Sequence, residues 1–268
     1  MYHNINPVLI SLGSIKIKYY GLIYIIGFVM AYFFIRYLSD ERNLGLSRDD
    51  VLDYLVYLGF GVIIGARLFY FIFYNFNVLA DDPLEIIRIW HGGMSFHGGL
   101  IGAAVFGIAF AKRKKISIYK LADITVIPLA VALSLGRIGN FINGELVGRI
   151  TNSWMCIDYS RNNYMPEKIL GCRWPSQLFE SLKNLAIFIS LWAVRKKNLA
   201  DGFLFWMFIT MYGSLRFFIE FFRQPDEQLG FVLFNFFTMG QVLCSIMVVV
   251  GIIMMAYVSK GKNKNSKE

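Results

Sequence analysis

Phe203-Leu-Phe-Trp-Met-Phe-Ile-Thr-Met-Tyr212-Gly-Ser-Leu-Arg216-Phe-Phe-Ile-Glu220-Phe-Phe-Arg223 carries two patterns at once. Its apolar residues run for about the 20 positions that a helix needs to cross a bilayer. Within that run Tyr212, Arg216, Glu220 and Arg223 recur at intervals of 4, 4 and 3, which puts them on one helical face. A bilayer tolerates ionisable side chains only where they face a bundle interior, a water-filled cavity or the interface. The stretch therefore predicts a transmembrane helix packed among others with a polar stripe turned inward. Two readings of the stripe stay open: an Arg216–Glu220 pair that locks helices together, or part of a pathway or site.

The rest of the chain agrees with a membrane setting. Of 268 residues, 56% are hydrophobic and 17% charged, and the mean hydropathy is +0.52; soluble domains run nearer 45–50% apolar and about 25% charged. Further apolar runs at 20–37, 51–74, 96–111, 121–135, 178–194 and 237–258 bring the expected crossings to seven. The fold class expected is thus an all-α polytopic membrane protein, one integral-membrane domain over 1–268. Short loops following the odd-numbered helices carry Arg36, Arg42 and Arg48, then Lys112 to Lys115 with Lys120, then Arg195 to Lys197, and the tail adds Lys260, Lys262, Lys264 and Lys267. That bias places these loops in the cytoplasm, the N-terminus outside and the C-terminus inside. Residues 75–95 read as an outer arm, residues 140–175 as a small periplasmic head, and Ser259 to Glu268 as a solvated, frayed end. Met1 to Lys18 lacks a basic n-region and a small-residue cleavage site, so no removed signal peptide is expected. Cys156 and Cys172 both fall in the head, in a compartment that permits disulfides, and are expected to pair. Three scattered Cys and three His offer no metal-ligand spacing, and the net charge of +9 is explained by topology rather than by nucleic acid.

Other polar residues stand out against the apolar background. The fourth run continues into Gly136-Arg137-Ile-Gly139-Asn140-Phe-Ile-Asn143-Gly144-Glu145, where glycines let backbone approach a ligand or another helix and irregular backbone would line a cavity. A polar helix end meeting water is the alternative. Guanidinium forks suit phosphate oxygens, so Arg137 and Arg216 near the outer leaflet suggest a phospholipid headgroup. The third helix opens with Trp90-His91-Gly92-Gly93-Met-Ser-Phe-His97-Gly98-Gly99, whose four glycines predict an unwound or tightly turned entry. His97 is a general-base candidate or an interface histidine. Arg67 lies inside the second run near Tyr70, Tyr74 and Asn75, and Tyr19 and Tyr20 open the first; aromatic belts account for the tyrosines equally well.

Gly136-Arg137-x-Gly139-Asn140-Phe141-x-Asn143-x-Glu145-x-x-Gly148 resembles the signature of the bacterial prolipoprotein diacylglyceryl transferase family. The resemblance extends to Tyr20-Gly21, to Gly92 through Gly99, to Pro175-Ser176-Gln177-Leu178 with Glu180, and to Arg216 through Asp226. It implies seven helices with an outside N-terminus in the bacterial cytoplasmic (inner) membrane. It also implies transfer of the diacylglyceryl group of phosphatidylglycerol to the lipobox cysteine thiol of prolipoproteins at the outer leaflet, with release of glycerol 1-phosphate. By matching positions, His97, Arg137, Arg216 and Tyr212 are expected to be catalytic. Arg137, Arg216, Tyr20, Asn140, Asn143, Glu145, Glu220 and Arg223 are expected to bind phosphatidylglycerol. The family commonly has His immediately before Pro-Ser-Gln-Leu, where this chain has Trp174, and His91 has no counterpart and reads as structural.

The implied reaction is an alkylation of sulfur with loss of a phosphate monoester. A thiol of pKa near 8.5 needs a base or a positive field to react as thiolate, for which His97 and the two arginines are the candidates. No metal or organic cofactor is required. A transporter whose Arg/Glu stripe lines an anion pathway is the competing reading, although the polar residues gather toward one boundary and no inverted repeat is visible.

Overall fold

A computed structural model of the chain describes residues 1–13, 15–164, 169, 171–224, 231–233 and 237–265. Lys168 of the head, Pro225 and Asp226 of the family motif, and the last three residues of the tail lie outside the described residues. Each of the seven apolar runs is a helix: α1 (Tyr19–Glu41), α2 (Arg48–Tyr74), then, after the short α3 (Phe76–Asp81), α4 (Phe96–Lys114), α5 (Ile118–Asn143), α6 (Ser176–Val194), α7 (Phe203–Ile219) and α8 (Met239–Asn265). Among the described residues, four segments are long and apolar enough to cross a membrane: Tyr19–Glu41, Arg48–Tyr74, Ile118–Asn143 and Met239–Lys262. The chain is a multi-pass membrane protein. Its described strands pair as short two-stranded antiparallel sheets: β1 (Val8–Leu12) with β2 (Ile15–Lys18), β3 (Ile157–Asp158) with β4 (Cys172–Arg173), and β5 (Phe231–Leu233) with β6 (Phe237–Thr238).

Several boundaries differ from the sequence expectation. Phe237 belongs to β6 and not to the last helix, which runs on through residues expected to fray. The glycine-rich entry to α4 divides in two. Gly92 and Gly93 form the turn, with φ of 82° and 77°, whereas Gly98 and Gly99 are helical. Likewise residues 136–143 are not irregular but regular helix, and the chain breaks only at Gly144, where φ is 70°.

The chain divides into two compact units, Met1–Ala31 with Ala122–Glu268, and Tyr32–Leu121. In the second, α2 and α4 pack backbone to backbone. A Cβ at Gly61 would stand 2.5 Å from the carbonyl oxygen of Gly102, and Cβ atoms at Gly65 or Gly98 would fall on each other's carbonyl oxygens. Lipid tails are as apolar as leucine, so such close contact, rather than escape from water, holds membrane helices together. Ser47 opens α2 with a capping box shared with Asp50, and the Ser95 hydroxyl caps α4 by accepting from Gly98 N at 3.3 Å.

In the first unit α6 packs against α7 and α7 against α8. The Ser134 hydroxyl of α5 donates to the Ser181 carbonyl of α6 at 2.9 Å. The two carboxylate oxygens of buried Asp123 accept from Gly202 N and Phe205 N at 2.9 and 2.8 Å, capping α7 from α5. The head is stapled by a Cys156–Cys172 disulfide, with Cα atoms 5.4 Å apart. Residues at the N-terminus join it: His3 N donates to Asp158 O, and Asp158 N to Met1 O.

Candidate functional site

Five ionisable side chains from α5, α6, α7 and the end of α7 meet in the first unit. Glu180 is the centre, 2% exposed. It pairs with Lys183 one turn on, Nζ to Oε2 at 2.7 Å, with Arg216 of α7 through its other oxygen, and with Arg137 of α5, whose Nε stands 3.9 Å from Oε2. Arg216 also meets Glu220, Nη2 to Oε2 at 2.6 Å. Glu220 then accepts from the Thr238 hydroxyl at 3.2 Å, and Thr238 and Gln241 bond each other reciprocally at the start of α8. Tyr212 completes the group, its ring centroid 3.7 Å from the Lys183 ammonium.

The stripe on the quoted stretch is therefore real over Tyr212, Arg216 and Glu220, but Arg223 leaves it. The helix ends at Ile219 and the chain tightens through turns at 220–222. Arg223 forms a backbone bridge with Gly148, and its carbonyl accepts from Arg149 Nε at 2.7 Å. The backbone hydrogen bonds that hold this segment explain why helical spacing fails there. Arg216–Glu220 is likewise not a simple pair, since Arg216 is shared with α6.

A second polar group lies along α5. Asn140 and Asn143 donate to the two oxygens of Glu145, each at 3.1 Å. Gln177 Nε2 and the Ser176 hydroxyl donate to the carbonyls of Glu145 and Leu146 at 2.7 and 3.0 Å, tying this loop to the start of α6. Tyr20 lies on Gly139, where a Cβ would sit 2.8 Å from its ring, and its hydroxyl meets that of Tyr24 at 3.0 Å. That close approach is what Gly139 provides. Trp174 packs edge-on to Phe222, centroids 5.2 Å apart, and against Phe179.

Among the described residues Arg137 makes no hydrogen bond, and its side chain is 24% exposed. The five N–H donors of this guanidinium therefore remain available to an acceptor from outside the protein. Three cations against two carboxylates leave the cluster one positive charge in excess.

The second unit holds His97 and Arg67. His97 is exposed on the first turn of α4, its ring 5.7 Å from that of Phe96. Arg67 is buried and wholly engaged in structure. It donates to the carbonyls of Ile86, Glu85, Arg88 and Gly93 at 3.1, 2.5, 2.9 and 3.1 Å, and to that of Gly92, while its guanidinium carbon stands 4.6 Å from the Phe71 ring centroid. It holds the arm, which folds into α3 and two short 3-10 turns. Tyr70 and Asn75 sit nearby, 3.5 Å apart. His91 meets Glu85 at 2.8 Å, and this bond together with Arg88 keeps the Glu85 carboxyl below its usual range; Arg88 does the same to Asp82. In the head, burial pushes the Tyr159 hydroxyl up to about 12.

Sequence reasoning did not foresee Glu180 as the centre or Lys183 as a member. The signal was present: an acid and a base three apart inside an apolar run.

A family model described as prolipoprotein diacylglyceryl transferase matches residues 7–257. Curated proteins similar to this chain carry the name phosphatidylglycerol–prolipoprotein diacylglyceryl transferase. One from Geobacter sulfurreducens is 44% identical over 260 residues, covering 97% of each chain. Another from Oleidesulfovibrio alaskensis is 40% identical over 264 residues, 98% of this chain and 97% of its own. A third, from Vibrio atlanticus, is 39% identical over 260 residues, 96% of this chain and 92% of its own.

Proposed function

The chain belongs to the prolipoprotein diacylglyceryl transferase family, and from that premise we propose how its residues carry the reaction. It is a transferase that moves the diacylglyceryl group of phosphatidylglycerol to a prolipoprotein, the first step of lipoprotein maturation. The acceptor is the lipobox cysteine thiol. Sulfur bonds to the glyceryl carbon that bears the phosphate ester, the carbon–oxygen bond to phosphate breaks with its electrons going to oxygen, and glycerol 1-phosphate leaves. His97 takes the thiol proton. Arg137 and Arg216 hold the phosphate and stabilise the charge that builds on it as it departs, with Tyr212 beside them. Tyr20, Asn140, Asn143, Glu145, Glu220 and Arg223 shape the headgroup site.

The observation that carries this reading is the Arg137 guanidinium, half-buried, without a hydrogen bond among the described residues, and at the rim of a cluster with one positive charge in excess. A fork of donors in that state fits phosphate oxygens. The enzyme sits in the bacterial inner membrane as one integral-membrane domain of seven crossings. Its N-terminus, arm and head are outside, its C-terminus is inside, and its site is toward the outer leaflet.

Purified protein in phosphatidylglycerol liposomes, offered a lipobox peptide, is expected to yield a thioether-linked peptide and glycerol 1-phosphate in equal amounts. Folded protein that makes neither product overturns the reading.

A further inference from the structure

How Glu180 is shared decides which cation is left for a ligand. Its Oε2 takes the Lys183 ammonium at 2.7 Å, while Arg137 Nε stands 3.9 Å from the same atom, beyond hydrogen-bond reach. The Lys183 side chain is 1% exposed and lies against Tyr212, so it is enclosed by protein, whereas Arg137 is 24% exposed. We infer that Lys183 is a positioning residue for Arg137: by satisfying Glu180 it keeps the Arg137 guanidinium from closing onto that carboxylate and leaves it to take the phosphate of the lipid substrate. This rests on the phosphate-binding role proposed above for Arg137.

The charge count points the same way. With Lys183, three cations face two carboxylates, and the single excess matches the single negative charge of a phosphodiester. Without it, two face two. Glu180 would then be a buried carboxylate short of a cation, and Arg137, about an ångström from hydrogen-bond distance, is the nearest replacement; a charge-assisted bond would form there. The fork would be occupied and the field that attracts the phosphate cancelled.

The full-length protein in nanodiscs with graded fractions of phosphatidylglycerol in phosphatidylcholine, with a lipobox peptide as acceptor, separates the two substrates. Lys183→Met is expected to raise KM for phosphatidylglycerol roughly tenfold or more, with KM for the peptide within about twofold. Lys183→Arg, which keeps the charge, should stay within about threefold of the parent. The double variant Glu180→Gln, Lys183→Met removes the carboxylate that would recapture Arg137 and should bring the lipid KM back to within about threefold. An unchanged lipid KM in Lys183→Met, or single and double variants equally impaired, overturns the inference. If only the double variant folds, its lipid KM decides: near the parent supports the inference, and a rise of roughly tenfold overturns it. A parent protein that makes no product overturns the functional reading itself, an outcome visible before any variant is compared.

Discussion

Arg216 is bonded to two carboxylates, Glu180 on α6 and Glu220 at the end of its own helix. Arg216→Gln leaves both short of their shared cation in a buried place, so it should cost about 3–5 kcal/mol of stability as well as activity. Arg137→Lys is expected to behave differently. Arg137 stabilises little, so the melting temperature should hardly move, while a point charge replaces the fork and lipid KM rises. Thermal unfolding and lipid KM measured on both variants check this; similar melting losses in the two would contradict it. His3 supplies a pH prediction. Its Nδ1 accepts from Asn162 Nδ2 at 2.7 Å, so its Nε2–H donates to the Phe141 carbonyl at 2.7 Å, which fixes a neutral ring. Burial holds its pKa below the ordinary value, so the folded head binds this proton less readily than the unfolded chain. Stability is therefore full above the unfolded value of about 6.5, falls as pH drops below it, and levels off beneath the folded value. His3→Gln should lower stability at high pH by about 1–3 kcal/mol and flatten that slope. An unaltered slope in thermal unfolding would rule His3 out as its source. At this scale the sequence marked Arg137, Arg216 and Glu220 by their misplaced charge. It left the use of Arg67 open, because whether a buried guanidinium meets carbonyls or a ligand depends on a loop folding back over it.

The α2–α4 contact offers a test at the scale of elements. Gly98 and Gly99 are adjacent in one helix, yet a Cβ at Gly98 would strike the Gly65 carbonyl and Phe69, while one at Gly99 would meet Ala66 and Val62 at an ordinary 3.5 Å. Gly98→Ala should therefore cost about 1–3 kcal/mol by forcing the helices apart. Gly99→Ala should be neutral or stabilising by up to about 1 kcal/mol through helix propensity. Resistance to unfolding in detergent distinguishes them, and equal effects would refute the packing account. Gly61-x-x-x-Gly65 and Gly98-x-x-x-Gly102 are readable in the sequence as small-residue pairs. That they face each other is not, since periodicity gives a face and not its partner. For the same reason the glycines beside His97 looked like an unwound entry when only Gly92 and Gly93 form the turn, Gly98 serves helix packing and Gly99 is simply helical.

For the whole molecule the expected topology can be checked by labelling. Single cysteines placed at Asn198 and Asn163 should be shielded from and reactive toward an impermeant thiol reagent, respectively, and the reverse pattern would invert the proposed orientation. Free-thiol titration of the denatured protein without reductant should find Cys244 alone, since Cys156 and Cys172 are joined. Membrane class, the seven helical segments and the family motifs were determined by the sequence alone, because a bilayer turns hydrophobicity into a local, length-limited code. Polar residues that violate the code announce themselves. The tertiary structure alone decided what those residues do to one another: that Glu180 gathers three cations, that Arg67 is consumed in holding the arm, that Arg223 leaves the stripe, and that Arg137 is the guanidinium left over. Ion pairing falls off over a few ångströms, and apart from Lys183, one turn from Glu180 on the same helix, those distances are set between segments far apart in the chain, where no spacing along one helix records them.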